Sequence, residues 1–335
     1  MKIIEPSVEL MRTGLEKEFI TPEQFIEKVG RTCYKSEDKI TDESAEKFVR
    51  GLIKRGHEAM IEHWSVIFKV NPFWYTQIVD DYEMLTNTFG LRHFLRFTNH
   101  EYSTGEVRCI VSGNMRAWRD FVKAGIDDFG FVPQYLHGVV RNYPLFFPEF
   151  QDYVPGIIQN DKLFPISVSE LTEPERKIHQ DVTVKFVCDR GVSHEIVRHR
   201  TSSFAQESTR YCNYGLDKFG NEITVIRPSW CKEGEDVYTI WRDGCILAEG
   251  AYFSLLSENA TPQEARSVLP NSLKTEIIMT TNLIGWDHFF ELRCAPDAHP
   301  DIQEVAKMAK RLFDNPKVFN GDVNTESETT EGIIR

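Results

Sequence analysis

Apolar residues recur at helical spacing in "TDESAEKFVRGLIKRG", where Val49, Leu52 and Ile53 stand among charged positions behind a capping Thr41 or Asp42. This predicts a helix over 42–56, and a similar pattern predicts one over 22–36. "HWSVIFKV" reads as a strand, and "VRCIVSGNMRAWRDF" as a strand running into a helix. "NYPLFFPEFQDYVPG", aromatic and broken by proline, reads as ordered loop. "VTVKFVCDRG" is strand-like and runs into a short helix, "VSHEIVRHR", a hydroxyl-rich loop, and a glycine-punctuated hairpin, "YGLDKFGNEITVIRP". Beyond these, helices are expected over 234–258, 262–268, 284–293 and 300–314, with a strand over 274–282. The tail from 319 to 335 is polar and expected to be disordered. Helices and strands mix without regular βαβ alternation, which indicates the α+β class, and no internal repeat is apparent.

Composition narrows the function. With 335 residues, 41% of them hydrophobic, the chain can bury a sizeable core as one elaborate domain or two ordinary ones. A net charge of -12 argues against a general nucleic-acid binder, because such affinity rests on clustered Lys and Arg. Any anion site must therefore be local. The seven cysteines are odd in number and free of CxxC pairs, so a disulfide framework is not expected and a reducing cytoplasm fits. The start, "MKIIEPSVEL", is too charged for a signal peptide, and no apolar run of about 18 residues appears, so neither secretion by that route nor a membrane span is expected.

Several chemistries are set aside by spacing. "HEAMIEH" and "HEIVRH" begin like a zinc-protease signature, but His57 and His63 are six residues apart and His194 and His199 five, so neither pair shares a helix face and no metal is expected. Ser208 lacks the glycine-flanked turn of a hydrolase nucleophile. There remains "RHRTSSFAQESTRY". A basic helix end explains Arg198 to Arg200 equally well when taken alone, since cations complement the dipole there. At about 100° per residue, however, Glu195, Arg198 and His199 would share one helix face, and the following loop carries Ser202, Ser203, Gln206, Ser208 and Thr209 as small donors and acceptors. Arg198 and Arg210 bracketing that loop suit a mononucleotide phosphate. In "GWDHFFELR", Trp286, Phe289, Phe290 and Arg293 cluster on one side of a helix, so Arg293 lies along the apolar face and needs a partner, either a buried carboxylate or an anionic ligand.

These residues closely resemble the flavin-dependent thymidylate synthases, whose signature is RHR, seven residues, then Ser, here Arg198-His199-Arg200 and Ser208. "GRTCYKSED", "GHEAMIEH", "EARSVLPNSL", "TTNLIGWDHFFELR" and "AHPDIQ" extend the likeness over most of 1–70 and 181–315. The resemblance implies one α+β domain over 1–318 with mixed helices and a central, mostly antiparallel sheet, interrupted by an insertion at about 71–180. It implies synthesis of dTMP from dUMP, with carbon from 5,10-methylenetetrahydrofolate and reducing equivalents from NADPH passing through FAD, in a homotetramer with shared sites. Carried over, Glu195 to Arg198, Gln206, Glu207, Ser208, Thr209, Arg210, Arg266 and Arg293 would contact dUMP, Arg293 as the catalytic cation. Arg198, His199, Arg200, Gln206, Asn282 and His288 would contact FAD, with His57 and Glu62 near the isoalloxazine. Two positions depart from the pattern: Ala59 replaces a common Thr or Ser, and Ile284 a common Arg, so any FAD contact there is through backbone or is lost.

The residue types suit that chemistry. A cation at the pyrimidine edge favours deprotonated N3, and so a nucleophilic C5, most strongly in an apolar surround. No side chain can donate a hydride, so a cofactor must. The competing expectation is a non-catalytic nucleotide- or RNA-binding relative that kept the basic loop. In "SGNMRAW", Asn114, Arg116 and Trp118 are either a strand–helix junction or groups that stack on and hydrogen-bond a ring.

Overall fold

The computed structural model describes residues 1–15, 20–91, 95–154, 162–210, 212–216, 219–315 and 319. The expected tail, Phe319 apart, lies outside them. Two strands open the chain, β1 (Lys2–Ile4) and β2 (Ser7–Arg12), followed by helices α1 (Pro22–Tyr34) and α2 (Ser44–Lys54). Next come β3 (Ser65–Val70), α3 (Pro72–Phe89), β4 (Arg96–Glu101), β5 (Val107–Asn114) and α4 (Met115–Phe129). Shorter pieces follow: α5 (His137–Asn142), β6 (Leu163–Pro165) and α6 (Glu173–His179). The remainder is β7 (Asp181–Asp189), α7 (Arg190–Ile196), β8 (Ser203–Gln206), β9 (Thr224–Ile226), α8 (Asp236–Ser257), α9 (Pro262–Ala265), β10 (Lys274–Asn282), α10 (Leu283–Arg293) and α11 (Pro300–Phe313).

The α+β class holds, and among the described residues the strands lie in three sheets, two of them four-stranded, rather than in one central sheet. The chain divides into two compact units, one of Met1–Phe19, Val29–Asp38 and Val182–Arg335, the other of Ile20–Lys28 and Lys39–Asp181. In the first unit the sheet order is β2-β7-β10-β8, with β2 antiparallel to β7 and β8 antiparallel to β10. Val184 and Phe186 of β7 and Ile277 and Met279 of β10 pack with Trp286 and Phe289 of α10 and with Val305 and Ala309 of α11. In the second unit the order is β4-β5-β3-β6, antiparallel throughout. Its core joins Phe68, Val111, Trp118 and Phe121 to Phe146 and Phe147 of the expected loop, whose residues 148–153 form a 3-10 helix. Among the described residues no helix is long and apolar enough to cross a membrane.

Three local expectations are corrected. Among the described residues of "YGLDKFGNEITVIRP" no hairpin forms: β9 pairs in parallel with β1, where Ile223 and Val225 are buried. The hydroxyl-rich stretch contains a strand, β8, since pairing with β10 satisfies its backbone better than water does. Helix α2 is not side-chain capped by Thr41 or Asp42; Glu43 holds the cap position, and Ser44 Oγ donates to Thr41 O at 3.0 Å.

Candidate active site

The geometry is built around the end of α7. Asp189 caps its start, the carboxylate accepting from Val192 N at 2.7 Å, and the helix stops at Ile196. Arg198, His199 and Arg200 therefore lie in a turn beyond the helix, and the expected face shared by Glu195, Arg198 and His199 does not exist. Arg198 N donates to Glu195 O at 3.2 Å and Ser202 N to His199 O at 3.1 Å, tightening the chain before β8. This turn sends His199 inward and leaves Arg198 and Arg200 exposed.

His199 meets Arg293 there. Arg293 Nε donates to His199 Nε2 at 3.1 Å, Nη1 to Glu195 Oε2 at 2.8 Å and Nη2 to Glu195 O at 3.0 Å. A guanidinium has no proton-free nitrogen to offer, so His199 Nε2 must be the acceptor and the ring is neutral with its proton on Nδ1. Burial, then Arg293 and His288, push the imidazole down to about 4. Its chain neighbours Arg198 and Arg200 are not among the causes. The His199 ring lies 4.9 Å from Phe289 and 5.7 Å from His288. Arg293, side chain 18% exposed, thus has the carboxylate partner that its place on an apolar face demanded, with an edge still open to solvent.

Alternation along β8 and the residues after it separates two sets of side chains. Gln206 Nε2 donates to Ser193 Oγ at 2.9 Å and to Thr275 Oγ1 at 3.1 Å. Glu207, one residue on, is buried on the other side against Lys274 Nζ at 2.9 Å. Ser208 N donates to Cys33 O, its Oγ accepts from Arg210 N at 3.4 Å, and Thr209 Oγ1 accepts from Arg266 Nη1 at 3.1 Å. Arg210 and Arg266 are exposed. No base adjoins Ser208 in these contacts, and Cys33 is no substitute nucleophile, its thiol pushed up to about 12 by burial.

Lys35, Lys274 and Glu276, none of them among the expected site residues, form a charged cluster with Glu207. Lys35 Nζ reaches Glu276 Oε1 at 2.6 Å, and Lys274 Nζ bonds the same oxygen at 2.5 Å as well as Glu207. Burial opposes the charge on Glu276, but the two ammonium groups outweigh it and hold the carboxyl down to about 2. Lys35 takes φ of 46°, a left-handed conformation that costs a non-glycine residue about 1 kcal/mol and persists where the surroundings enforce it. Its presence in "GRTCYKSED" was the available signal: this segment ties to Ser208 through Cys33 O and to β10 through Lys35.

Asn282 caps α10, its side chain accepting from Gly285 N at 2.9 Å. One turn apart on that helix, Ile284 is 50% exposed and His288 exposed as well. His57, Ala59 and Glu62 belong to the second unit: His57 is exposed at the N-cap of a 3-10 helix over Glu58–His63, and Ala59 offers hydrogen bonds only through its backbone. Glu62 Oε1 accepts from Arg116 Nη1 at 2.7 Å. In "SGNMRAW" the junction reading prevails for Asn114, which caps α4 by accepting from Ala117 N at 2.8 Å, and for Trp118, fully buried edge-on to Phe68. Among the described residues no group of three His, Cys, Asp or Glu is placed to hold a metal.

The chain is 36% identical over 129 residues to a flavin-dependent thymidylate synthase of Pyrococcus furiosus, covering 37% of this chain and 52% of that one. Enzymes of the same name from Geobacter sulfurreducens and Corynebacterium efficiens are 33% identical over 132 residues and 31% over 149, covering 39% and 41% of this chain and 55% and 59% of theirs. The chain spans about half the length of the curated relatives it matches. The family described as "Thymidylate synthase complementing protein" matches residues 15–79 and 178–315, more than half of the chain, and so takes in Arg198, His199, Ser208 and Arg293. By that match the chain belongs to this family.

Proposed function

We propose that the protein is a flavin-dependent thymidylate synthase that methylates dUMP to dTMP, taking carbon from 5,10-methylenetetrahydrofolate and reducing equivalents from NADPH. The observation that carries this is Arg293: a cation on the apolar face of α10, bonded to Glu195 and a neutral His199, with part of its edge open. A guanidinium so placed favours the anionic form of the uracil ring and with it electron density at C5. Ser208, Arg210 and Arg266 hold the nucleotide phosphate and sugar in register, and Gln206 is fixed by Ser193 and Thr275 to present its carbonyl.

The donor set fits FAD: Arg198 and Arg200 are exposed cations for a diphosphate, and His288, on the helix that Asn282 caps, lies with its ring 5.7 Å from that of His199 between them. When bound, FAD supplies the hydride that no side chain can. His199, kept neutral, accepts from Arg293 and so fixes the guanidinium without adding a second positive charge. His57 and Glu62 attend the isoalloxazine, and the assembly is a cytoplasmic homotetramer.

The test is spectroscopic and catalytic. Purified protein should carry, or take up, a yellow flavin, oxidise NADPH and convert dUMP to dTMP when methylenetetrahydrofolate is present. A colourless protein that FAD cannot reconstitute, or a flavoprotein making no dTMP, overturns the proposal.

A further inference from the structure

No repeat is visible in the sequence, yet the two units share one construction. In the first, β7 ends at the capping residue Asp189 and leads into α7, β8 follows, and β10 ends at the capping residue Asn282 and leads into α10. In the second, β3 leads through capping Asn71 into α3, β4 follows, and β5 leads through capping Asn114 into α4. In all four junctions the cap side chain accepts from the backbone N–H three residues on. Sheet order also agrees: β7-β10-β8 in one, β3-β5-β4 in the other.

Register agrees as well. Ser203 pairs with Thr280, two residues before Asn282, and Arg96 pairs with Ser112, two residues before Asn114. "TTNLIGWDHFF" and "SGNMRAWRDF" then align with Asn, Trp and Phe identical at matching places, the rings Trp286, Phe289, Trp118 and Phe121 being fully buried. Trp286 packs on Phe186 and Trp118 on Phe68, each partner three residues before its own strand's cap. The outer strands differ, β2 preceding β7 but β6 following β4 and β5, so the copies have diverged.

Counting from each cap exposes a complementarity. Two residues past Asn282 stands Ile284, and two past Asn114 stands Arg116. Eleven past Asn282 stands Arg293, but eleven past Asn114 stands Gly125, where even a Cβ would lie 3.0 Å from Pro133 Cδ. The first copy keeps the base-activating cation and lacks a cation at the helix start; the second has the reverse. Arg116 is one-third exposed, its Nη1 on Glu62, and it lines a cavity of about 410 Å³ with Phe89, Leu91, Asp120 and Lys123. Asp120, Lys123 and Asp127 line the same wall, and Arg116 has Glu62 as its ion-pair partner.

We propose that the two units are diverged copies of one module and that Arg116, from the segment outside the family match, is a flavin-contacting residue that supplies the cation missing at Ile284. This rests on the flavin-dependent reading above. It gives the stretch over 80–177, which the family does not match, a part in cofactor binding.

The test uses the full chain and FAD titrated against visible absorbance. Arg116→Ile, the residue at the matching place in the first copy, should weaken FAD binding at least tenfold. Arg116→Lys keeps the charge beside Glu62, so it should melt close to the wild type and remain testable if the Ile variant misfolds; it should still bind FAD several-fold more weakly, because an ammonium lacks the fork. A purely structural Arg116 would show the opposite order, with melting lowered in the Ile variant and FAD affinity unchanged in both, and that result overturns this inference alone. A wild-type protein that binds no FAD overturns it together with the proposed function.

Discussion

His199 gives the most quantitative handle on the site. Its imidazole is held near 4 in the folded protein against an ordinary 6.5, so below neutrality the unfolded chain binds a proton that the folded chain refuses. The stability this group contributes is complete above pH 6.5 and is lost as pH falls toward 4. Each unit is worth about 1.4 kcal/mol, so the wild type should lose about 2 kcal/mol from this residue between pH 7.5 and 5. His199→Gln cannot titrate but keeps an acceptor for Arg293 Nε. At pH 7.5 the variant should be less stable by roughly 1–2 kcal/mol, from lost packing on Phe289. At pH 5 the gap should close by about 2 kcal/mol. His179, held near 4 by burial and then Arg96, titrates in the same direction but is present in both proteins and cancels. Urea unfolding by circular dichroism at pH 7.5, 6 and 5 gives the comparison. A gap that stays constant or widens as pH falls would refute a neutral His199 accepting from Arg293.

Arg293→Ala should retain FAD yet lower dTMP formation by about 100-fold or more, with poor rescue by Lys, and near-normal turnover at saturating dUMP would sink the catalytic assignment. Ser208→Ala should weaken dUMP binding by about 0.5–1.5 kcal/mol without abolishing turnover, and intact-mass detection of dUMP attached at Ser208 would contradict a hydrogen-bonding role. Lys35→Met should cost about 2–3 kcal/mol at pH 7 by stripping one of two partners from Glu276. Because the carboxyl is held down to about 2, the wild-type advantage is present above its ordinary 4.5 and should fade as pH drops toward 2, and an unchanged urea midpoint in the variant would disprove it. Trp118→Ala should lose about 3–5 kcal/mol while leaving the folate KM unchanged, whereas a raised KM with unaltered melting would revive a stacking role.

Much of the site was legible because its signals are local. Helix α10 matches the pattern over 284–293 nearly residue for residue, since three buried rings and a capping Asn lie within one short stretch, and β7 and β10 are apolar runs bounded by their own caps. Arg198-His199-Arg200 with Ser208 is a spacing motif, and the need of Arg293 for a partner followed from its place beside Trp286 and Phe289. Periodicity could not say that α7 stops at Ile196, because whether the next residues continue a helix or turn toward β8 depends on a strand far downstream, β10, which begins at Lys274. It also could not pair Glu195 with Arg293, 98 residues away, or join Lys35 to Glu276 across 241. The edge that draws β9 to β1 and the matching registers of the two units are likewise properties of paired backbones, in which side chains only need to fit. Local pattern reports which face of an element is apolar; the partner of a buried charge and the path of a chain between strands are settled when burial makes an unpaired polar group cost more than the entropy of bringing distant segments together.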